Sequence, residues 1–314
     1  MRSALMTEPQ QGYSYQDVLD TALAAERAGF ETFFRSDHYT SFPGEPGLRT
    51  TDAWTTLAGL ARDTQRIRLG TMVTAATFRH PGPLAITVAQ VDAMSGGRVE
   101  LGIGTGWYDD EHTAYGIPFP PLGERFERLE EQLSIITGLW ETPEDETFSF
   151  EGQHYTLVDS PALPKPAQRP RPPIILGGWG SKRTPRLAAR FADEFNVPFP
   201  LLADCAPQLD RVRAACEAAD RDPATMVWSA ALVVCIGTDE KQFERRAKAI
   251  GRQPDDLRKN GVGGLPDEAA ERLAAYGEAG ADRVYLQVLD LADLEHLHLI
   301  AETFGLDGAT APGA

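Results

Sequence analysis

The chain has 314 residues, 42% of them hydrophobic and 24% charged, and its 30 Lys and Arg against 46 Asp and Glu leave a net charge of −16. That length suits two ordinary domains or one α/β barrel, and it can bury a large core without disulfide staples. The acidic balance argues against nucleic acid and anionic membrane as partners, and no run approaches the 18 apolar residues of a transmembrane helix.

The first eight residues, Met1 to Glu8, reach an acidic side chain too soon for a signal peptide, so a cytoplasmic protein is expected. Ser3 to Met6 reads as a strand, and the amphipathic stretch Ser14 to Ala28 reads as a helix stopped by Gly29. Glu31 to Arg35 is a second strand, ending in Ser36-Asp37-His38. A helix over Asp52 to Asp63, capped by Thr51 or Asp52, follows it. Ile67 to Thr74 reads as a third strand with Pro83 to Met94 as its helix, and Val99 to Gly104 as a fourth. Glu124 to Trp140 then carries Phe126, Leu129, Leu133 and Ile136 at helical spacing.

From Thr142 to Pro173 the alternation breaks. Phe148-Ser149-Phe150 and Tyr155 to Val158 flank Glu151-Gly152-Gln153-His154 as a hairpin, and six prolines between Pro161 and Pro173 then forbid helix. Strands resume at Ile174 to Leu176, Glu194 to Val197, Val227 to Ile236 and Arg283 to Leu289. Helices lie at Pro185 to Ala192, Ala206 to Ala219, Gln242 to Ile250, Glu268 to Ala279 and Leu294 to Phe304. Eight strands, nearly all followed by helices, favour a parallel (β/α)8 barrel as one domain, with the hairpin and prolines inserted between the fourth helix and the fifth strand. An open doubly wound sheet is the alternative.

Cys205, Cys216 and Cys235 form no CxxC, and an odd number cannot pair fully, which fits a reducing compartment. His296 and His298, two apart on a helix, do not converge, so no metal site is expected.

Barrel chemistry sits at strand C-termini. Those positions offer Asp37 and His38, then Met72, Val73 and Thr74, then Gly104-Thr105-Gly106-Trp107-Tyr108 with Asp109 to Glu111. Further round come Gly177-Gly178-Trp179-Gly180-Ser181, Asn196, Tyr285 and Gln287. In the fifth loop the glycines permit close backbone approach, Thr184 suits an N-cap and Pro185 the first helical position. Ser181, Lys182 and Arg183 stand beside that helix start, a suitable anion site; a tight turn before a capped helix is the plainer alternative. Gly102 to Gly106 fails the dinucleotide fingerprint: its third glycine comes one residue early, no helix follows at once, and Leu122 stands where an acid is needed. Approach to a flat ligand explains these glycines better. His38 suits a general acid or base, and no nucleophile elbow is present.

Ser36-Asp37-His38, Gly70 to Thr74 leading to Phe78-Arg79-His80-Pro81, Gly97 to Trp107, Gly177 to Asn196 and Gly277 to Val284 resemble the luciferase-like monooxygenase family, and within it the coenzyme F420-dependent oxidoreductases. The resemblance implies a TIM barrel with an insertion. It puts Asp37 and His38 beside the deazaflavin ring, with His38 the candidate proton donor. Met72, Val73 and Thr74 would form a bulge behind the ring, often with a non-prolyl cis peptide, while Gly104, Thr105 and Gly106 approach it. Gly177, Gly178, Gly180, Ser181 and Arg183 would take the phosphate. The implied reaction is hydride transfer between the deazaflavin C5 and a small organic substrate, with FMN-dependent monooxygenation and a non-enzymatic cofactor-binding barrel as alternatives. Trp107 replaces the acidic residue of the sugar-phosphate dehydrogenase branch, which favours an imine or activated alkene, and Asp110 or Glu111 is left as a substitute carboxylate. F420, with a phosphate and a glutamate tail, is anionic, so Lys182, Arg183 and Arg79 are expected to reverse the local charge. The loops Phe42 to Arg49 and Gly251 to Leu265, with the insertion after Thr142, are expected to define the substrate, and a homodimer is the expected assembly.

Overall fold

The computed structural model describes residues 1–42 and 47–306; the candidate loop Phe42 to Arg49 therefore lies partly outside the described residues. Eight parallel strands close on themselves: β1 (Arg2–Thr7), β2 (Thr32–Arg35), β3 (Arg68–Thr71), β5 (Val99–Gly104), β8 (Ile174–Gly177), β9 (Glu194–Pro198), β10 (Val227–Ile236) and β12 (Arg283–Val288). The cycle is completed by β10 beside β9 and β12 beside β1. This is the expected (β/α)8 barrel, and the open sheet is excluded.

Helices α1 (Tyr15–Ala28), α2 (Ala53–Asp63), α3 (Pro81–Ser95), α5 (Leu122–Glu141), α6 (Arg183–Phe191), α7 (Leu202–Ala218), α10 (Pro266–Glu278) and α11 (Leu294–Thr303) surround it. Their local causes are readable. Ser14 and Asp17 form a capping box on α1, Gly29 ends it in the left-handed conformation, and the Asp52 carboxylate caps α2 by accepting from the Thr55 N–H. The main core lies between strands and helices, with Leu5, Phe33, Leu69, Leu101, Phe195 and Leu286 facing outward into it. Ala4, Met6, Phe34, Met72, Ile175, Ala231 and Tyr285 fill the barrel interior.

Four sequence expectations need correction. The third strand is not the continuous run Ile67 to Thr74: it stops at Thr71, a cis peptide joins Met72 to Val73 where the family resemblance implies a bulge, and β4 (Thr74–Ala75) resumes against the end of β5. Asp109 to Glu111, read as loop residues, open a short helix, α4 (Asp109–Tyr115), although Trp107 and Tyr108 still separate it from the Gly102–Gly106 run. The segment Gly251 to Leu265, expected as a loop, contains α9 (Pro254–Asn260) and β11 (Val262–Gly264), which pairs with β10; α8 (Glu240–Ala249) precedes it. Finally, α6 begins at Arg183 with Lys182 at the cap position, not at Pro185 after a Thr184 cap. Proline at the third helical position costs no hydrogen bond, because the first four N–H groups have no helical acceptor anyway.

The insertion is as expected: β6 (Phe148–Glu151) and β7 (Thr156–Ser160) pair antiparallel. The prolines then run beneath the N-terminal end of the barrel, where the Gln168 amide donates to Asp92 and to the Val99 carbonyl at 2.7 Å each, and its oxygen accepts from Arg68 at 3.0 Å. That end carries a buried ionic cluster. Arg283 donates to Glu100 at 2.9 Å, lies 3.0 Å from Glu194 and touches the Tyr285 hydroxyl at 3.1 Å; Arg68 donates to Glu100 at 2.5 Å. Burial opposes ionisation of Glu100, but two guanidinium groups hold its carboxyl below the usual range. Glu194, buried with one guanidinium and close to Glu100, is pushed up instead.

Candidate active site

At the opposite, C-terminal mouth, Arg35 leaves β2 fully buried and ties the next segment down. Its guanidinium donates to the Thr51 carbonyl and to the Thr51 and Thr56 hydroxyls, each at 2.9 Å. Burial lowers its pKa to about 10. Asp37 follows, its carboxylate completely covered and taken by both terminal nitrogens of Arg79, at 2.5 and 3.3 Å. Arg79 also donates to Asp52. Burial opposes the charge of Arg79, but Asp37 and then Asp52 hold it above its ordinary range. The expectation that Arg79 supplies free positive charge for a ligand is therefore corrected: two carboxylates already neutralise it.

His38 is brought to the mouth beside a partner 73 residues away. The Glu111 carboxylate, on α4 and 1% exposed, accepts from His38 Nδ1 at 2.9 Å through Oε1 and from the Tyr39 N–H at 2.9 Å through Oε2. This fixes the ring and puts a proton on Nδ1. Among the described residues Nε2 has no hydrogen-bond partner. The ring edges of Phe42 and Trp107 flank His38 at centroid distances of 4.3 and 5.9 Å. Trp107 is 64% exposed, and Trp179 and Phe199 are exposed as well. Asp109 and Asp110 also lie in the first turn of α4, but the bond to His38 comes from Glu111.

The glycines serve the chain's own packing before any ligand. A Cβ on Gly102 would sit 2.0 Å from the Thr71 carbonyl oxygen, one on Gly104 3.2 Å from Val73, and one on Gly106 2.8 Å from the Thr77 hydroxyl. They let β5 lie against the break at Met72, Val73 and Thr74, so ligand approach is not needed to explain them. Thr105 lies between them, its hydroxyl turned to the Gly106 carbonyl at 3.3 Å.

The fifth loop is different. Gly178 has φ +132°, and its N–H donates to the Asn196 carbonyl. Gly177 lies against Asn196, and Gly180 against the Thr184 hydroxyl, where a Cβ would come within 2.4 Å. Lys182 at the cap position gives no side-chain cap. Among the described residues, nothing accepts from the backbone N–H of Trp179, Gly180, Ser181, Lys182, Arg183 or Thr184. Thr184 is only 8% exposed, and its hydroxyl has no hydrogen bond among the described residues. Arg183 is partly engaged, donating to the Gly123 carbonyl at 2.8 Å. A groove of about 390 Å³ adjoins the loop between α6 and α7, lined by Ser181, Lys182, Arg186 and Arg211 among alanines.

Two residues just past β1, Glu8 and Gln10, join the mouth although sequence reasoning does not single them out. Glu8 accepts from Gln287 at 2.6 Å and from Gln10, whose amide oxygen accepts from Ser36 at 2.6 Å. A signal for Glu8 does exist, since it directly follows a barrel strand. His296 accepts from the Ile236 N–H at 2.9 Å, and no cluster of metal-binding side chains occurs among the described residues. All three cysteines are buried and free, and no described helix is long and apolar enough to cross a membrane.

Comparison with known proteins bears on this arrangement. A family model described as luciferase-like monooxygenase matches residues 1–283. An F420-dependent glucose-6-phosphate dehydrogenase from Beutenbergia cavernae is 30% identical over 302 residues, covering 85% of this chain and 86% of its own. The corresponding protein of Microbacterium testaceum is 37% identical over 180 residues, 57% of this chain, and the match spans 51% of that relative's length. Among solved structures, an F420-dependent secondary alcohol dehydrogenase in complex with an F420-acetone adduct superposes with a TM-score of 0.84 at 19% identity, covering 98% of each chain. The FMN-bound oxygenating constituent of 3,6-diketocamphane monooxygenase from Pseudomonas putida gives 0.76 at 19%, covering 97% of this chain and 98% of that one. These two likenesses concern the fold. The family match covers nearly the whole barrel, and with it both the mouth and the fifth loop: the chain belongs to the luciferase-like monooxygenase family.

Proposed function

We propose that the protein is an F420-dependent oxidoreductase that moves a hydride between the deazaflavin C5 and a small organic substrate. The observation that carries this reading is the fifth loop, where six consecutive backbone N–H groups and the hydroxyl of buried Thr184 have no partner among the described residues at an uncapped helix start. Such an array suits a phosphate. The F420-dependent relatives from Beutenbergia and Microbacterium support F420, and so does the basic groove beside the loop, which has the chemistry for an acidic tail. FMN is the second reading, supported by the FMN complex of the camphane monooxygenase; FMN has no such tail to place.

The bound cofactor would supply the hydride chemistry, and the barrel supplies position and protons. Gly177, Gly178, Gly180, Ser181 and Arg183 would hold the phosphate, and Met72, Val73 and Thr74 would back the ring with Gly104, Thr105 and Gly106 opposite. Asp37 would act on the ring environment only through Arg79, which covers it. His38 exchanges the substrate proton at Nε2. Neutral, it accepts one; as the imidazolium, whose Nδ1–H Glu111 holds, it donates one. Glu111 is then a positioning residue. Exposed Trp107 and its aromatic neighbours would offer an apolar wall, which favours a conjugated substrate such as an imine or activated alkene over a sugar phosphate.

Titration with F420 and with FMN, followed by calorimetry, tests the cofactor. Micromolar or tighter F420 binding with weak FMN binding is expected; tight FMN binding with no F420 response would sink the proposal.

A further inference from the structure

We propose that Gln208, on α7, is the residue that sets the fifth loop for phosphate; this rests on the cofactor reading above. Gln208 is fully buried. Its Nε2 donates to the Gly178 carbonyl at 2.9 Å and lies 3.5 Å from the Gly180 carbonyl, while its Oε1 accepts from Arg211 Nη1 at 2.6 Å. The amide cannot be flipped without loss, because a guanidinium only donates and a carbonyl only accepts.

The consequence follows from peptide geometry. In a trans peptide the C=O and the following N–H point to opposite sides. Drawing the Gly178 and Gly180 oxygens toward α7 therefore turns the N–H groups of Trp179 and Ser181 away from it. These two donors alternate along the loop, with Gly178 in a backbone conformation, φ +132°, that side-chain-bearing residues rarely adopt. Gln208 touches no ligand in this arrangement. It fixes the direction of donors that would, and Arg211 in turn fixes the direction of Gln208.

The test measures the phosphate's share of binding rather than binding alone. Dissociation constants are compared by calorimetry for F420 stripped of its glutamates and for the same deazaflavin without phosphate. In the unaltered protein the phosphate-bearing form should bind at least a hundredfold tighter. Gln208→Leu should cut that preference tenfold or more and leave the phosphate-free form within twofold. Arg211→Met, at an exposed position whose loss spares the core, should cut the preference about threefold and supplies the same readout where Gln208→Leu fails to fold. Equal losses for both ligands, or an unchanged preference in both variants, would overturn the role of Gln208. If the unaltered protein shows no preference, the phosphate reading of the loop itself fails.

Discussion

The two ends of the barrel both bury charge, and they use it differently. At the N-terminal end Arg283 and Arg68 face Glu100 and Glu194 across strands, so the charged groups are spent on one another. At the mouth, Arg35 and the Arg79–Asp37–Asp52 group hold loops in place. That leaves His38 Nε2 and the fifth-loop N–H groups without partners among the described residues. Charge at one end closes the structure, and at the other it keeps donors and acceptors available. Unspent polar groups at a rigid mouth are what a binding site requires.

This contrast can be broken from either end. The largest effect is expected from His38→Ala, which should lower kcat by about 10²- to 10⁴-fold and shift the melting temperature little; an unchanged kcat would remove His38 as the proton carrier. Arg283→Met should do the reverse. Leaving Glu100 and Glu194 without their shared cation costs about 3–5 kcal/mol in urea unfolding, while cofactor affinity of the folded protein stays within about twofold.

A third test separates pairing from position. His296 lies near the mouth side of β10 but is buried, and burial lowers its pKa to about 4. Below an unfolded value near 6.5 the unfolded chain binds the extra proton and the folded chain does not, so stability falls as pH drops from about 6.5 toward 4. Between pH 7 and pH 5 this group should cost about 2 kcal/mol. His296→Gln should flatten the pH dependence of the urea midpoint by that amount; an unaltered slope would mean His296 does not titrate this way. The smallest effect is assigned to Glu111→Gln, which removes the charge behind His38 Nδ1. A loss of about tenfold in kcat is expected, with a lowered acid limb in the pH–rate profile and unchanged cofactor affinity. A matching loss of melting temperature with no change in that limb would mark Glu111 as merely structural.

Much of this fold is legible in the chain because strand and helix periods differ. The strands Val99–Gly104 and Val227–Ile236 fall at their expected limits. What escapes depends on spatial neighbours. Seven residues suffice for α4 only because Glu111 and His112 are anchored by His38 and Thr77, contacts with no trace in local periodicity. The β3–β4 break is hidden from local periodicity, because Met72 and Val73 look like ordinary strand residues, and only the family resemblance places a bulge with a cis peptide there. Site residues follow the same division. Asp37, His38 and Glu111 stand out at strand ends and Asp52 as a cap, whereas the pairings that define their chemistry, Glu111 with His38 and Asp52 with Arg79, are recognisable only in three dimensions. The fifth-loop glycines point to an anion site on local grounds, yet the start of α6 is misplaced because Thr184-Pro185 fits a capping pattern and Lys182-Arg183, where the helix starts, does not.

The proline segment beneath the barrel has a bearing on how such a protein diversifies. Through Gln168 it is fastened to Asp92, to Val99 and to Arg68, so it belongs to the foundation rather than to the variable loops. Mouth loops can be exchanged between relatives without disturbing that foundation, and a chimaera that keeps residues 161–173 with Asp92 inherits its stability from one parent and its chemistry from another.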